Sequence, residues 1–203
     1  MTPVGDDRGP TSRGRISSGA SERSQSRLPR TADEGAPANG ATMRAARRRW
    51  ASGVAVLTTS EVVGEVTVYR GATISGFQII SLEPAIIGVF LERQGATGAM
   101  VERTGICAIS VLDRSQEFQA DRFAGLGPLP PPDFRGVAHA FAVTGAPILT
   151  GSLAWFDCRL DQALTVGDHL ALFCRVERVG IAPDSDDPLI SYEGSFRRVE
   201  GIL

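Results

Sequence analysis

Apolar residues return at every second position over several short stretches of the chain. Across residues 153–162, Ala154, Phe156, Cys158 and Leu160 share one face while Asp157, Arg159 and Asp161 share the other. Residues 169–179 repeat the pattern through Leu170, Leu172, Cys174 and Val176. A period of two is that of a strand with one buried face. Shorter β-rich runs at 53–60, 66–69, 72–77, 85–91, 106–112 and 189–192 add strands separated by turn residues such as Gly64. Helical spacing is rarer. Met43, Ala46 and Trp50 share one face of a short helix that Thr42 can cap, with Arg44, Arg47 and Arg48 elsewhere on it. A second helix is expected from near Thr97 to Gly105. Asp113 followed by Gln116 reads as a capping box opening a third, through Phe123 and closed near Gly125. Residues 125–135 hold Pro128, Pro130, Pro131 and Pro132 and must be loop. Many short strands, a few short helices and no regular β–α alternation predict a mainly β barrel and exclude a doubly wound sheet.

Composition changes this picture at one end. The 203 residues carry a net charge of −2, and every one of the 21 basic residues is Arg. The charge is uneven: residues 1–49 hold 10 Arg against 5 acids, and residues 50–203 hold 11 against 18. Residues 1–42 contain no aromatic side chain, so they are expected to form a disordered Arg/Ser/Gly-rich tail ahead of one domain at 43–203. The tail has no apolar segment of the kind a signal peptide needs. Arg48-Arg49-Trp50 resembles a twin-arginine signal only until the apolar run behind it breaks at Thr58-Thr59. Acids interrupt the arginines and no ring offers stacking, which argues against nucleic acid. No run approaches the roughly 20 apolar residues of a membrane span. Three scattered cysteines, odd in number and without a CxxC pair, point to a reducing, cytoplasmic setting.

Most catalytic classes are excluded by what is missing. There is no G-x-S-x-G elbow and no P-loop, and the lone G-x-G, at 125–127, sits in the proline loop with no strand before it. His139 and His169 cannot supply a histidine-rich metal site. The acidic run at 184–187 would need Gly where Leu189 stands and Glu where Ser195 stands to be a calcium loop. Residues 71–84 (Gly-Ala-Thr-Ile-Ser-Gly-Phe-Gln-Ile-Ile-Ser-Leu-Glu-Pro) are different. There Thr73, Ser75 and Ser81 punctuate apolar strands where hydroxyls can meet the edge of a planar ring. Arg93 precedes the helix expected near Thr97, and a helix start beside an Arg suits a phosphate. Ring edge plus phosphate describes a nucleotide-like ligand; the same residues also read as ordinary turn formers and a solvated Arg.

The order and spacing of these pieces resemble the flavin reductase-like, FMN-binding split-barrel family, over residues 48–198. The pieces are Trp50 to Thr58, the 71–84 block, Thr97, residues 105–112, Asp121-Arg-Phe-Ala-Gly125, Leu153-Ala-Trp-Phe-Asp-Cys158, Gly167-Asp-His169 and Pro188 to Gly194. The resemblance implies a split β-barrel homodimer that passes hydride from NADH or NADPH to FMN or FAD and supplies reduced flavin to a monooxygenase partner. A non-catalytic flavin-binding module is the alternative. It further implies that Tyr69, Arg70, Gly71, Ala72, Thr73, Ser75 and Gly76 wrap the flavin ring and ribityl chain, with Ser81 near the pyrimidine edge. Phe90, Leu91 and Glu92 correspond to a strand end beside the flavin, Ala96 and Thr97 to the phosphate loop, where Arg93 and the backbone would meet the phosphate, and Arg122 and Phe123 to a helix end near the nucleotide. His169, the candidate catalytic residue, and Ser191, Tyr192, Glu193 and Gly194 correspond to the nicotinamide side. No metal is implied. The chain departs from the family pattern at Gln94, Gly95 and Ala96 in the phosphate loop, at Ser110, and at Phe196.

Overall fold

The computed structural model describes residues 35–126, 134–183 and 187–197, together with Val199. Most of the expected tail, the centre of the proline loop and the acidic residues 184–186 therefore lie outside the described residues. Along the chain come α1 (Gly40–Arg47), β1 (Ser52–Gly53), β2 (Ala55–Val63), β3 (Val66–Ile74), β4 (Phe77–Leu82) and β5 (Ala85–Glu92). Then follow α2 (Ala96–Thr104), β6 (Ile106–Val111), a 3-10 turn at Arg114–Gln116 and α3 (Glu117–Phe123). The remaining strands are β7 (His139–Phe141), β8 (Pro147–Leu149), β9 (Ala154–Val166), β10 (His169–Ile181), β11 (Ile190–Tyr192) and β12 (Ser195–Arg197).

Among the described residues, seven strands form one sheet in the order β3-β2-β6-β9-β10-β5-β4. Its two outermost strands are consecutive in sequence and joined only by Ser75 and Gly76. Two linking residues reach at most about 10 Å. The sheet must therefore curl until its edges meet, and at that corner Phe90 N–H donates to Gly76 C=O at 2.8 Å. The result is the mainly β split barrel with a few short helices. Its interior is filled by Leu57, Ile87, Val89, Val101, Ile109 and Leu172, among which Cys107, Cys158 and Cys174 are fully buried. These act as small apolar side chains. Hydrogen bonding from the neighbouring thiols, then burial, pushes the Cys107 thiol well above its usual range. A second core lies between the barrel and α3, where Ala120 and Phe123 pack on Val54, Val56, Leu112, Phe134 and Leu189.

Several expectations change. The run at 66–69 and the first part of the run at 72–77 are one strand, β3, which ends at Ile74, and a strand not expected from the sequence, β4, begins at Phe77. β4 was hidden because it is an edge: Gln78, Ile79, Ile80 and Leu82 are all exposed, so no alternation marks it. Asn39 rather than Thr42 caps α1. Its Oδ1 accepts from Ala41 N at 2.9 Å and Thr42 N at 3.1 Å, while Thr42 Oγ1 accepts from Asn39 N at 3.0 Å. Asp157, expected on the solvated face of β9, is fully buried and accepts from the amides of Val143 and Thr144. The capping box is as expected, with Asp113 and Gln116 bonding each other's backbone.

Candidate functional site

Direct contacts tie one group of sequence-singled residues into a single structure. Gly71 sits in β3 under the ring of Phe123, which would meet a Cβ there at 2.7 Å. Gly71 C=O accepts from Thr97 Oγ1 at 3.0 Å, fastening the start of α2 to β3. Thr73 Oγ1 donates to Ala120 C=O at 2.6 Å, fastening α3 to the same strand. Both hydroxyl protons are thus spent inside the fold, so these oxygens face a ligand only as acceptors. Gly76 joins Phe90 through the corner bond, and Ser75 beside it is exposed. α2 starts at Gly95 without a side-chain cap, and ends at Gly105 in the left-handed conformation. Its first N–H groups are therefore the positive end of a nine-residue helix with no acid in its first turn.

A second group meets at the ends of β5 and β10. Antiparallel register sets His169 opposite both Glu92 and Val166, and Ala171 opposite both Phe90 and Leu164. Directly opposed residues share a face. Phe90, Leu164 and Val166 therefore form an exposed apolar border around His169 and Glu92. The hairpin turn is Gly167-Asp168, with φ of 61° at Gly167, which suits a glycine-first two-residue turn. Arg93 N–H donates to Asp168 C=O at 3.0 Å. A cleft of about 580 Å³ opens between Glu92, Arg93 and Gln94 on one side and Gly167 and Asp168 on the other. His169 Nδ1 donates to Asp168 Oδ1 at 2.7 Å, which fixes the ring and leaves Nε2 for a ligand. That bond, with a backbone hydrogen bond at Asp168 and the charge of His169, lowers the Asp168 carboxyl from its ordinary value.

Other residues stand apart. Leu91 and Phe123 are buried in the two cores and offer packing to the site. Tyr69 packs among Phe134, His139 and Phe141, with centroids 5.5–5.8 Å away. Arg122 donates to Arg135 C=O at 2.8 Å. Ser81 pairs with Ile86 beyond the bulge in β4, about 16 Å along the strand from Gly76 at roughly 3.3 Å per residue. Ser191 to Gly194 belong to the separate sheet β1-β11-β12. Their turn meets the chain leaving α1: Glu193 N–H donates to Arg48 C=O at 3.0 Å and Glu193 pairs with Arg49 at 2.7 Å. Asp168 was not among the residues expected at the site, although adjacency in Gly-Asp-His could have pointed to it.

Residues 47–200 match the family described as "Flavin reductase like domain". The chain is 34% identical over 158 residues to the NADH-dependent flavin reductase of a Rhodococcus species, covering 78% of this chain and 85% of the relative. It is 32% identical over 152 residues to the reductase subunit HsaB of a flavin-dependent monooxygenase from Rhodococcus jostii, covering 75% and 74%. Among solved structures it resembles BorF, the flavin reductase component of a bacterial two-component tryptophan halogenase, with a TM-score of 0.69 and 30% identity, covering 81% of this chain and all of the other.

Proposed function

The chain belongs to the flavin reductase-like domain family, and from that premise we propose how its own residues serve a nicotinamide-dependent flavin reductase. The reaction passes hydride from NADH or NADPH to FMN or FAD. The flavin supplies the two-electron acceptor; the fold supplies binding, orientation and electrostatics. This also explains how a nicotinamide enzyme lacks a Rossmann fingerprint, since the dinucleotide docks against the flavin.

The observation that carries the reading is the convergence on β3 of the uncapped start of α2, held by Thr97, with the β5–β10 end where Arg93 and His169 stand. A flavin fits these residues. The free N–H groups at Ala96 and Thr97, with Arg93, suit its phosphate. Arg70 to Thr73, Ser75 and Gly76 offer a polar strand edge for the ring and ribityl chain, and exposed Phe90 offers an apolar wall. His169, oriented by Asp168, is placed to contact the nicotinamide, and the apolar border around it offers a packing surface for the ring. Hydride transfer asks for little acid catalysis, so His169 serves binding and orientation.

The exposed edge of β4 is the face for a second copy of the chain. Ile79, Ile80 and Leu82 are 47, 50 and 80% exposed. An open, apolar edge strand of this kind is normally covered. Ser81, remote from the other site residues within one chain, would reach a flavin across that interface. Reduced flavin is consumed by a flavin-dependent oxygenase. Three buried free thiols suit a cytoplasmic location, and among the described residues no helix is long and apolar enough to cross a membrane.

The test is steady-state oxidation of NADH and of NADPH with FMN, FAD and riboflavin supplied separately, alongside sedimentation of the protein. Turnover with a flavin nucleotide by a dimer is expected. Tight flavin retention without turnover favours the non-catalytic module, and a monomer with full activity removes the role of the β4 face.

A further inference from the structure

A continuous wall of rings begins over β3 and ends in the open. Tyr69, Gly71 and Thr73 share one face of β3. Phe123 covers Gly71, and Phe134 packs on Phe123 at 5.2 Å between centroids. Tyr69 and His139 pack on Phe134 at 5.6 and 5.3 Å. Phe141 completes the wall, 5.8 Å from Tyr69 and 5.2 Å from His139. Burial falls along the series: Phe123 and Phe134 are buried, Tyr69 and His139 half-buried, and Phe141 is 50% exposed. The β7–β8 hairpin that carries the two outer rings is clipped to the barrel. Asp157 accepts from the amides of Val143 and Thr144 in its turn, Ser60 Oγ donates to Gly145 C=O at 2.9 Å, and Thr58 Oγ1 donates to Pro147 C=O. Core filling accounts for the inner rings of this wall; it does not account for a half-exposed phenyl ring fixed at its outer end.

Resting on the reductase reading above, we propose that Phe141, with His139 and Tyr69, is the platform for the adenine ring of FAD and so selects FAD over FMN. The order of parts along β3 matches the order of parts in that dinucleotide. The Ser75–Gly76 end takes the flavin ring, and Gly71, whose C=O holds Thr97 at the start of α2, marks the first phosphate. Tyr69 stands two residues further on, about 7 Å at roughly 3.3 Å per residue, a step that the second phosphate and its ribose span. His139 Nδ1 donates to Val137 C=O at 2.7 Å, which leaves Nε2 of the neutral ring as an acceptor for a base amino group. A purine is a flat apolar ring with a polar edge, and aromatic side chains stack it whatever its edge carries. FMN ends at the first phosphate, so the wall offers it nothing.

The experiment is fluorescence titration of the full wild-type chain and of its Phe141→Ala variant with FAD, FMN and riboflavin, alongside the KM for NADH at saturating FMN. The wild-type chain should hold FAD more tightly than FMN. Phe141→Ala should weaken FAD about tenfold, equivalent to 1.4 kcal/mol, and leave FMN, riboflavin and the KM for NADH as they were. Phe141→Trp keeps a stacking ring and should keep FAD affinity. Phe118→Ala, which removes an exposed ring on α3 away from the wall, should leave every constant in place. Unchanged FAD affinity in Phe141→Ala overturns the proposal, as does an equal loss for FAD and FMN or a wild-type preference for FMN. A raised KM for NADH with FAD affinity intact also overturns it, because the adenine on the wall is then the coenzyme's. A wild-type chain that binds no flavin overturns the reductase reading instead. A melting temperature matching wild type separates lost stacking from misfolding.

Discussion

Substituting Gly71 by Ala tests whether the close approach of β3 and α3 underlies the candidate site. A Cβ at Gly71 would stand 2.7 Å from both Cδ1 and Cε1 of Phe123. Carbon atoms rest at about 3.5–4.0 Å, so the overlap is about 1 Å. The ring has little room to retreat, being 3% exposed and packed on Phe134 at 5.2 Å between centroids. Overpacking of this kind costs about 1–3 kcal/mol, and the lower unfolded-state entropy of Ala returns about 0.5–1 kcal/mol. Mid-range values leave a net loss of about 1 kcal/mol, or about 2–4 °C in Tm for a chain of this size. Gly71 C=O also holds Thr97, so movement of β3 should shift the start of α2 and weaken FMN. Thermal or denaturant unfolding of Gly71→Ala, Phe123→Ala and the double variant measures the effect. Removing the ring removes the clash, so Gly71→Ala should cost little in the Phe123→Ala background, with a coupling of at least about 1 kcal/mol. The same cost in both backgrounds, or a wild-type Tm for Gly71→Ala, would refute the steric account.

Arg93→Ala should weaken FMN about tenfold or more, the loss of one charge-assisted contact of roughly 1.5–3 kcal/mol, and leave riboflavin nearly unaffected; fluorescence titration with each decides, and equal loss for both removes Arg93 from the phosphate. His169→Ala should raise KM for the coenzyme and keep kcat within a few-fold; a kcat loss of about 10²-fold with an altered pH profile would make it a proton donor instead. Asp168 has a folded-state pKa below its unfolded value, so its contribution is present above the unfolded pKa of about 3.9 and lost as pH falls through the lowered one. Asp168→Asn should therefore lower Tm near neutrality and converge with wild type in acid; a constant Tm difference down the whole range counts against that pairing. A chain beginning at residue 35 keeps the Asn39 cap of α1 and should retain Tm and reductase rate; a fall in either, followed by thermal unfolding and steady-state assay, counts against a dispensable tail.

What the sequence determined by itself was local. The period of two through Leu170, Leu172 and Cys174 specified which face of β10 is buried. The Asp113–Gln116 box and Gly105 marked helix ends, because caps and left-handed glycines depend on bonds within a few residues. The ordered set of motifs from Trp50 to Gly194 was enough to place the chain in its family. Tertiary structure decided whatever depends on pairing between distant segments. β4 carries no alternation because an edge strand at a barrel split is exposed on both faces, and only its pairing with β5 makes it a strand. Asp157 looked solvated from its neighbours in sequence, yet the 143–144 loop folds over it and gives its carboxylate two amides. The hydroxyls of Thr73 and Thr97 looked free for a ligand until α3 and α2 were brought to β3. His169 meets Glu92 across 77 positions of sequence, and Asp168 meets Arg93 across 75, because β10 pairs with β5, and Ser191 joins a different sheet for the same kind of reason. Register and closure follow from the summed packing of the whole barrel, which no window of residues contains.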